Sequence, residues 1–168
     1  MLPDKPWLIA CPHCHALAWV DELAEVGRIE WRYEEEEPAE RFTSACPAKW
    51  PTAEQYFRVL AAGVAEARKR NYVRNRAWRA GNDSRRAGER AALSAQESAN
   101  LEALLTETTG MEEQDRIARA EILRELGRFE AALENLAGQF ETLGSYAVLI
   151  RALAERRDPF VARLPNEK

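Results

Sequence analysis

Three cysteines and two histidines are the side chains best suited to chemistry in this sequence. Cys11, His13, Cys14 and His15 lie in one Cys-Pro-His-Cys-His stretch, and Cys46 opens a later Cys-Pro-Ala-Lys stretch. Two cysteines separated by two residues can present both thiolates to one metal ion. Three cysteines cannot all pair within one chain, which favours metal ligands or free thiols over disulfides. The predicted zinc ligands are Cys11, Cys14, Cys46 and His15, with His13 or water as alternatives in the fourth position.

Three other functions use the same Cys-x-x-Cys spacing, and each needs a feature that the sequence lacks. A thiol–disulfide oxidoreductase would need a helix in residues 16–26 and later strands, whereas only helices are predicted after residue 52. Covalent haem attachment occurs outside the cytosol, and no export signal precedes the motif. A deaminase-type catalytic zinc needs a Glu two residues after a ligand, which is absent here. An enzyme that uses Cys11 and Cys14 stays an alternative hypothesis.

The other catalytic motifs are also missing from the chain. The sequence contains no Walker loop, GxGxxG, GxSxG or HExxH pattern. Both histidines lie in the cysteine stretch, so no distant histidine is left for a catalytic triad. We therefore expect a non-catalytic protein that binds a protein partner, as an adaptor or as an inhibitor or immunity-type partner.

A basic segment supports a third hypothesis, nucleic-acid binding. The net charge of the chain is -4, yet residues 54–90 hold ten basic and four acidic side chains, with Tyr72 and Trp78 among them. Basic side chains contact phosphates, and aromatic rings stack on bases. The acidic segments on both sides favour pairing within the chain instead. The candidate residues are Arg68, Lys69, Arg70, Arg74, Arg76 and Arg79.

Hydrophobic patterning also bounds the location of the protein. No apolar run approaches the ~18 residues that span a bilayer. Pro3, Asp4 and Pro6 interrupt the N-terminal stretch where a signal peptide would need a continuous apolar segment. We therefore expect a cytoplasmic protein with reduced thiols and no membrane partner.

The pattern of apolar residues changes at about residue 52. Before it, residues 7–9 form a short apolar run, and residues 29–33 alternate apolar and charged side chains as a half-buried strand does. After it, apolar residues recur at helical spacing. We predict an α+β, mostly α fold, with a small N-terminal β module in 1–52 and a helical bundle in 53–168.

Helix boundaries are predicted from hydroxyl, glycine and proline positions. Capping boxes are predicted to begin at Thr52, Ser94 and Thr109, each with Glu or Gln three residues later. The first helix is predicted to run to about Arg79 and to stop at Gly81–Ser84.

One stretch resembles part of a tetratricopeptide repeat. In residues 126–133, Gly127 stands where that repeat turns, Phe129 where an aromatic side chain packs between helices, and Ala132 where the helices approach closely. Gly127 is predicted to end a helix in the left-handed conformation, and Gly144 to break the next one. The resemblance implies one helical hairpin at about 112–142, which is too few units for a solenoid.

Taken together, the chain resembles a set of bacterial cytosolic proteins of unassigned function that join an N-terminal zinc ribbon to tetratricopeptide-like helices. Lys49 stands where the fourth cysteine of such a ribbon would be. The resemblance implies architecture and a structural zinc site rather than an activity. It is carried by residues 11–14, 46–47, 76–78, 82–83, 93–94, 100–102 and 120–133.

Overall fold

The structure, a computed structural model, describes residues 6–27, 46–87 and 91–162. The chain is mostly helical, with a two-stranded antiparallel sheet near its N-terminus, which confirms the predicted class at this level. It divides into two compact units, Met1–Pro51 and Thr52–Lys168.

The first unit contains the sheet. Its strands are β1 (Leu8–Ala10) and β2 (Leu17–Trp19), followed by a single 3-10 turn at Val20–Glu22. Ala10 also forms an isolated antiparallel bridge with Lys49, through two main-chain hydrogen bonds of 2.9 and 3.0 Å. The strand predicted around residues 29–33 lies outside the described residues.

The second unit is built from helices connected by short loops. A 20-residue helix contacts both of its sequence neighbours, and the last three helices contact one another. The described helices are α1 (Ala53–Ala62), α2 (Ala67–Arg86), α3 (Ala95–Glu107), α4 (Glu113–Glu125), α5 (Phe129–Asn135) and α6 (Gly144–Glu155).

The single helix predicted from residue 52 to about residue 79 is wrong in two respects. It is interrupted after Ala62, where Gly63 has a φ of 91°, a conformation that favours glycine. The second helix then continues through Gly81 to Arg86. A Cβ at Gly81 would lie 2.7 Å from Glu97 Oε1, so this glycine permits a close approach rather than ending the helix.

Helices α4 and α5 form a hairpin around Gly127. Its φ of 76° confirms the predicted left-handed helix end. The prediction for Gly144 is wrong, because this glycine is the first residue of α6 rather than a break in a helix. Ala120, Leu136 and Ile150 are buried in one cluster where α4, the end of α5 and α6 meet.

A carboxylate on α4 holds the start of α6. Glu113 accepts hydrogen bonds from the Thr142 hydroxyl at 2.7 Å and from the backbone N–H groups of Thr142 and Leu143 at 3.0 and 3.1 Å. These bonds, with another from the Glu141 backbone N–H, lower the pKa of Glu113 to about 2. The carboxylate of Glu113 thus pairs the backbone N–H of Leu143, the N-cap residue of α6, and those of the two residues before it.

Two of the three predicted capping boxes are confirmed. The hydroxyl oxygens of Thr52 and Ser94 accept from the backbone N–H three residues on, and the side chains of Gln55 and Glu97 accept in return. The third box is wrong, because α4 begins at Glu113 with no side-chain cap and the predicted cap residue Thr109 lies outside the helix.

We expect Ser94→Ala to lower the free energy of unfolding by about 1 kcal/mol, because it removes the acceptor for the Glu97 N–H at 3.2 Å. Thr109→Ala, at the position of the absent cap, should change it by less than about 0.5 kcal/mol. Urea unfolding of both variants measures the difference. Equal losses in the two variants would contradict the assignment of the caps.

Candidate functional site

The predicted metal ligands lie around one connection in the first unit. The cysteine turn, residues 11–16, joins β1 to β2 and is closed by two main-chain hydrogen bonds. The Cys11 N–H donates to the Ala16 carbonyl at 2.8 Å, and the His15 N–H donates to the Cys11 carbonyl at 3.0 Å. His15 has a φ of 59°, which directs the chain back into β2. Cys14 and His15 are exposed, and Cys11 is half-buried.

The turn polarises the Cys11 thiol. The backbone N–H of Cys14, then that of His13, and then the Cys14 thiol form hydrogen bonds with the Cys11 sulfur and lower its pKa. A thiolate is both the better nucleophile and the better metal ligand. The conformation of the backbone therefore prepares Cys11 for either role.

Cys46 approaches the turn through strand pairing. Because the bridge between Ala10 and Lys49 is antiparallel, the residues before Lys49 run beside those after Ala10, which brings Cys46 toward the turn end of the sheet. Even so, no three His, Cys, Asp or Glu side chains in the described ranges are grouped so that they could hold a metal ion. The described donor set does not make a four-coordinate site, and zinc binding stays a prediction.

The setting of the cysteines differs from the one that an oxidoreductase would need. Residues 16–26, where that alternative needs a helix, hold β2 and the 3-10 turn. Cys11 and Cys14 therefore lie between two strands, and no α-helix that could lower the pKa of Cys11 begins within residues 6–27 or 46–51.

Part of the predicted basic segment is paired with α3. Arg74 Nε lies 3.2 Å from Glu107 Oε1, and Arg70 Nε lies 3.8 Å from the same oxygen. Arg85 forms a two-pronged ion pair with Glu97, with N···O distances of 2.7 and 2.9 Å. Glu107 and Glu97 together offset two of the three positive charges that a phosphate backbone would contact at these arginines.

The other predicted nucleic-acid residues are spread along the first two-thirds of α2. Arg68 and Arg79 are exposed, while Lys69 and Arg76 are partly buried. Arg68, Lys69 and Arg76 have interaction partners within the chain.

The second candidate site surrounds Glu125, a carboxylate at the end of α4 that is only 5% exposed. Trp78 Nε1–H donates to Glu125 Oε2 at 3.0 Å. Asn82 Nδ2 donates to Oε1 at 3.0 Å and to Oε2 at 3.3 Å. Trp78 and Asn82 are four residues apart on α2, so they lie on the same face of the helix. One buried carboxylate thus joins α2 to α4.

The neighbouring Arg124 is completely buried and links α4 to the segment after α6. Its Nε and Nη2 donate to the two carboxylate oxygens of Glu121 at 2.9 and 2.6 Å. Its Nη1 donates to the main-chain carbonyls of Asp158 and Phe160 at 2.6 and 2.9 Å. A buried guanidinium is tolerated when its donors are paired in this way.

The environment of Glu125 disfavours its charged form. Burial is the main cause, and the negative charge of Glu121 adds to it. The hydrogen bonds from Trp78 and Asn82 and the charge of Arg124 act in the opposite direction. The balance raises the pKa of Glu125 to about 7. Perturbed carboxyl groups of this kind occur preferentially at functional sites.

Glu125 also lies at the wall of a pocket of about 200 Å³, which we call the Glu125 pocket. The polar side chains of its lining are Glu125 and Ser98, and the other lining side chains are apolar. The apolar lining consists of Ala92, Leu93, Leu126, Pro159 and Phe160.

Sequence patterns failed to select Glu125 because carboxylates occur throughout the helical region. Two signals were nevertheless present. The i, i+4 spacing of Trp78 and Asn82 places two donors on one face, and Arg124 and Glu125 interrupt an apolar run at residues 122–126. A charged pair inside an apolar run predicts a buried polar site.

Comparison of the chain with protein-family models, curated proteins and solved structures finds no match. Within the described ranges, no helix is both long and apolar enough to cross a membrane. Functional conclusions therefore depend on the geometry described above.

We expect Cys11 to be alkylated at lower pH in the folded protein than in the unfolded chain, because the N–H groups of the turn stabilise its thiolate. The test is the pH profile of iodoacetamide reaction in the metal-free Cys14→Ser, Cys46→Ser variant, folded and in urea. The Cys14→Ser replacement keeps the backbone N–H groups of His13 and residue 14 as donors to the Cys11 sulfur. An unchanged midpoint would show that the turn does not polarise the sulfur.

We expect Glu125→Gln to flatten the dependence of stability on pH. In wild-type protein, Glu125 keeps its proton up to about pH 7 when folded but loses it near 4.5 when unfolded. The folded state therefore binds more protons between these values, and its free energy of unfolding should fall by about 3 kcal/mol as pH rises across this window.

The measurement is urea unfolding of wild type and Glu125→Gln at several pH values from 4.5 to 8. The matched control is Glu134→Gln, at an exposed position on α5. A difference between wild type and Glu125→Gln that does not vary with pH would refute the shifted titration.

Proposed function

We propose that this protein is a non-catalytic protein-binding module, an adaptor or an inhibitor-type partner. The observation that supports it best is the outward surface of α6. We call this surface the α6 outer face and define it by Ser145, Val148, Leu149 and Ala152, which recur at helical spacing. Val148 is 65% exposed, and the adjacent Tyr146 is 43% exposed.

Helix α6 lacks the charged side chains that a solvent-facing helix normally carries on its outer surface. The only charged residue of α6 before Glu155 is Arg151, and its guanidinium turns inward to donate to the Leu136 carbonyl at 2.6 Å. Ala147, Ile150 and Leu153 are buried on the inner side of the helix. Helix α6 is therefore apolar on both sides, which is typical of a helix covered by protein.

The occupant that fits this surface is an amphipathic helix of a partner protein. In the second unit, α5 and α6 both pack on α4, and such helical stacks are extended by further helices on their open side. An uncharged stripe at i, i+3, i+4 and i+7, apolar at its last three positions, matches the ridges of a helix better than an extended peptide.

The predicted resemblance is compatible with this role. Tetratricopeptide-like hairpins bury part of their apolar surface only against a neighbour. The α4–α5 hairpin and the zinc-ribbon-like module both belong to this proposal. If the cysteine turn and Cys46 bind zinc, its role is to hold the first unit together.

The ion pairs of α2 weigh against nucleic-acid binding as the main function. Arg70, Arg74 and Arg85 are engaged by Glu107 and Glu97. A phosphate that binds to these three side chains would have to displace the carboxylates first.

We expect Val148→Glu to remove the bound partner, because it places a charge in the centre of the apolar α6 outer face. The test is affinity purification of the tagged protein from a nuclease-treated native lysate, quantified by mass spectrometry. The matched control is Met111→Glu, at a site that is 83% exposed and outside α6. At least tenfold less partner with Val148→Glu, and an unchanged amount with Met111→Glu, is the expected result.

Two results would contradict the proposal. One is that no protein copurifies in stoichiometric amount with the wild type. The other is that both variants retain the partner equally. Urea unfolding of the two variants shows whether either substitution has disturbed the fold, which exposed substitutions rarely do by more than about 0.5 kcal/mol.

A further inference from the structure

The Glu125 pocket combines a buried acid with apolar walls. At about 200 Å³ it is larger than the cavity of about 150 Å³ that is known to hold benzene in another protein. Leu93 and Leu126 supply aliphatic surface, and Phe160 supplies an aromatic ring. Pockets of this composition bind ligands through apolar contact and orient them through a few polar groups.

Negative charge predominates around the pocket. Four carboxylates interact with one another or with the guanidinium groups near the pocket, namely Glu97, Glu121, Glu125 and Asp158. Two guanidinium groups, those of Arg85 and Arg124, are directed at these carboxylates. Among these six groups of the described residues, the acids outnumber the bases by two, which favours a cationic ligand.

One wall of the pocket is already in place. Pro159 and Phe160 belong to the segment whose carbonyls at 158 and 160 accept from Arg124. Because Arg124 is completely buried, its bonds fix this half-buried wall to the folded core. A preformed wall lowers the cost of ordering the site on binding.

We propose that the Glu125 pocket binds a primary ammonium group carried on an unbranched alkyl stem. Glu125 would accept the ammonium N–H, Ser98 could accept a second one, and the stem would lie against Leu93 and Leu126. The same chemistry occurs in a free alkylamine and in the lysine side chain of another protein.

The number of acceptors distinguishes an ammonium from a guanidinium. The Glu125 carboxylate already accepts from Trp78 and Asn82, which leaves it room for few further donors. An ammonium has three N–H donors, whereas a guanidinium has five in a fixed plane. With Glu125 and Ser98 as the polar lining side chains, an ammonium leaves one donor to solvent, whereas a guanidinium leaves three.

The test is a titration with n-pentylammonium, followed by the indole N–H signal of Trp78 in ¹⁵N NMR spectra. Trp78 Nε1 donates directly to Glu125, so its signal reports on the carboxylate, and Trp78→Phe assigns it. We expect a saturable shift. The neutral isostere 1-pentanol should bind at least tenfold more weakly.

Two variants test the contributions of the carboxylate and of the pocket volume separately. Glu125→Gln should weaken binding of n-pentylammonium at least tenfold while the protein stays folded. Ala92→Trp fills the pocket from an exposed lining position and should also block binding, although Glu125 is intact. Val148→Glu, outside the pocket, should leave amine binding unchanged, so this inference can fail or succeed independently of the proposed function.

Binding should also depend on pH, because the ammonium needs the ionised carboxylate. Five charged groups surround Glu125. They are Glu121 and Arg124 on α4, Arg85 on α2, Glu97 on α3, and Asp158 in the segment after α6. We expect about tenfold weaker binding at pH 6 than at pH 8, and a smaller change in Glu125→Gln.

A titration with N-acetyl-lysine methylamide distinguishes the two sources of the ammonium group. Binding of both probes indicates a lysine of a partner protein, and binding of n-pentylammonium alone indicates a free amine. The inference is overturned if n-pentylammonium produces no saturable shift, if 1-pentanol binds equally well, or if Glu125→Gln binds the amine as tightly as the wild type.

Discussion

The hydrogen bonds of one buried carboxylate organise the helical unit. Glu125 is held between Trp78 and Asn82 on α2, while its neighbour Arg124 holds the segment at 158–160. An unpaired charge at this depth would cost several kcal/mol, so these hydrogen bonds offset much of the cost of burying the two side chains. The approach of α2 to α4 is consequently set by polar contacts as much as by the shape of the apolar core.

The two candidate sites use the same physical device in different settings. In the cysteine turn, backbone N–H groups surround a sulfur and favour its charged form. At Glu125, burial disfavours the charged form although side-chain donors surround it. Whether a group ionises depends on which contribution is larger, and this comparison needs three-dimensional placement. The sequence alone shows which hydrogen-bond donors are present but not how deeply each group is buried.

Local signals predicted local features well. The boxes at Thr52 and Ser94 and the left-handed Gly127 follow from short-range hydrogen bonding and backbone sterics, which their sequence patterns encode. The same box pattern at Thr109 nevertheless forms no cap. The prediction for Gly81 was wrong, because this glycine admits the Glu97 side chain of another helix. The prediction for Gly144 was wrong, because this glycine begins a helix instead of breaking one. Sequence patterns also missed the Glu125 site, because its hydrogen-bond partners lie 43 and 47 residues away along the chain.

The contact of Arg124 with the carbonyls of Asp158 and Phe160 has a further consequence. A guanidinium that binds main-chain oxygens does not discriminate between side chains, so this contact tolerates a change of amino acid at 160. Asp158 adds to the contact, because its charge acts on Arg124 and its carboxylate accepts from the Phe160 N–H at 2.9 Å. The contact is lost, however, when the main chain at residues 158–160 is removed. Cleavage by a protease before residue 158 would leave a buried cation with two donors unpaired, and the loss of a few surface residues would propagate into the centre of the helical unit.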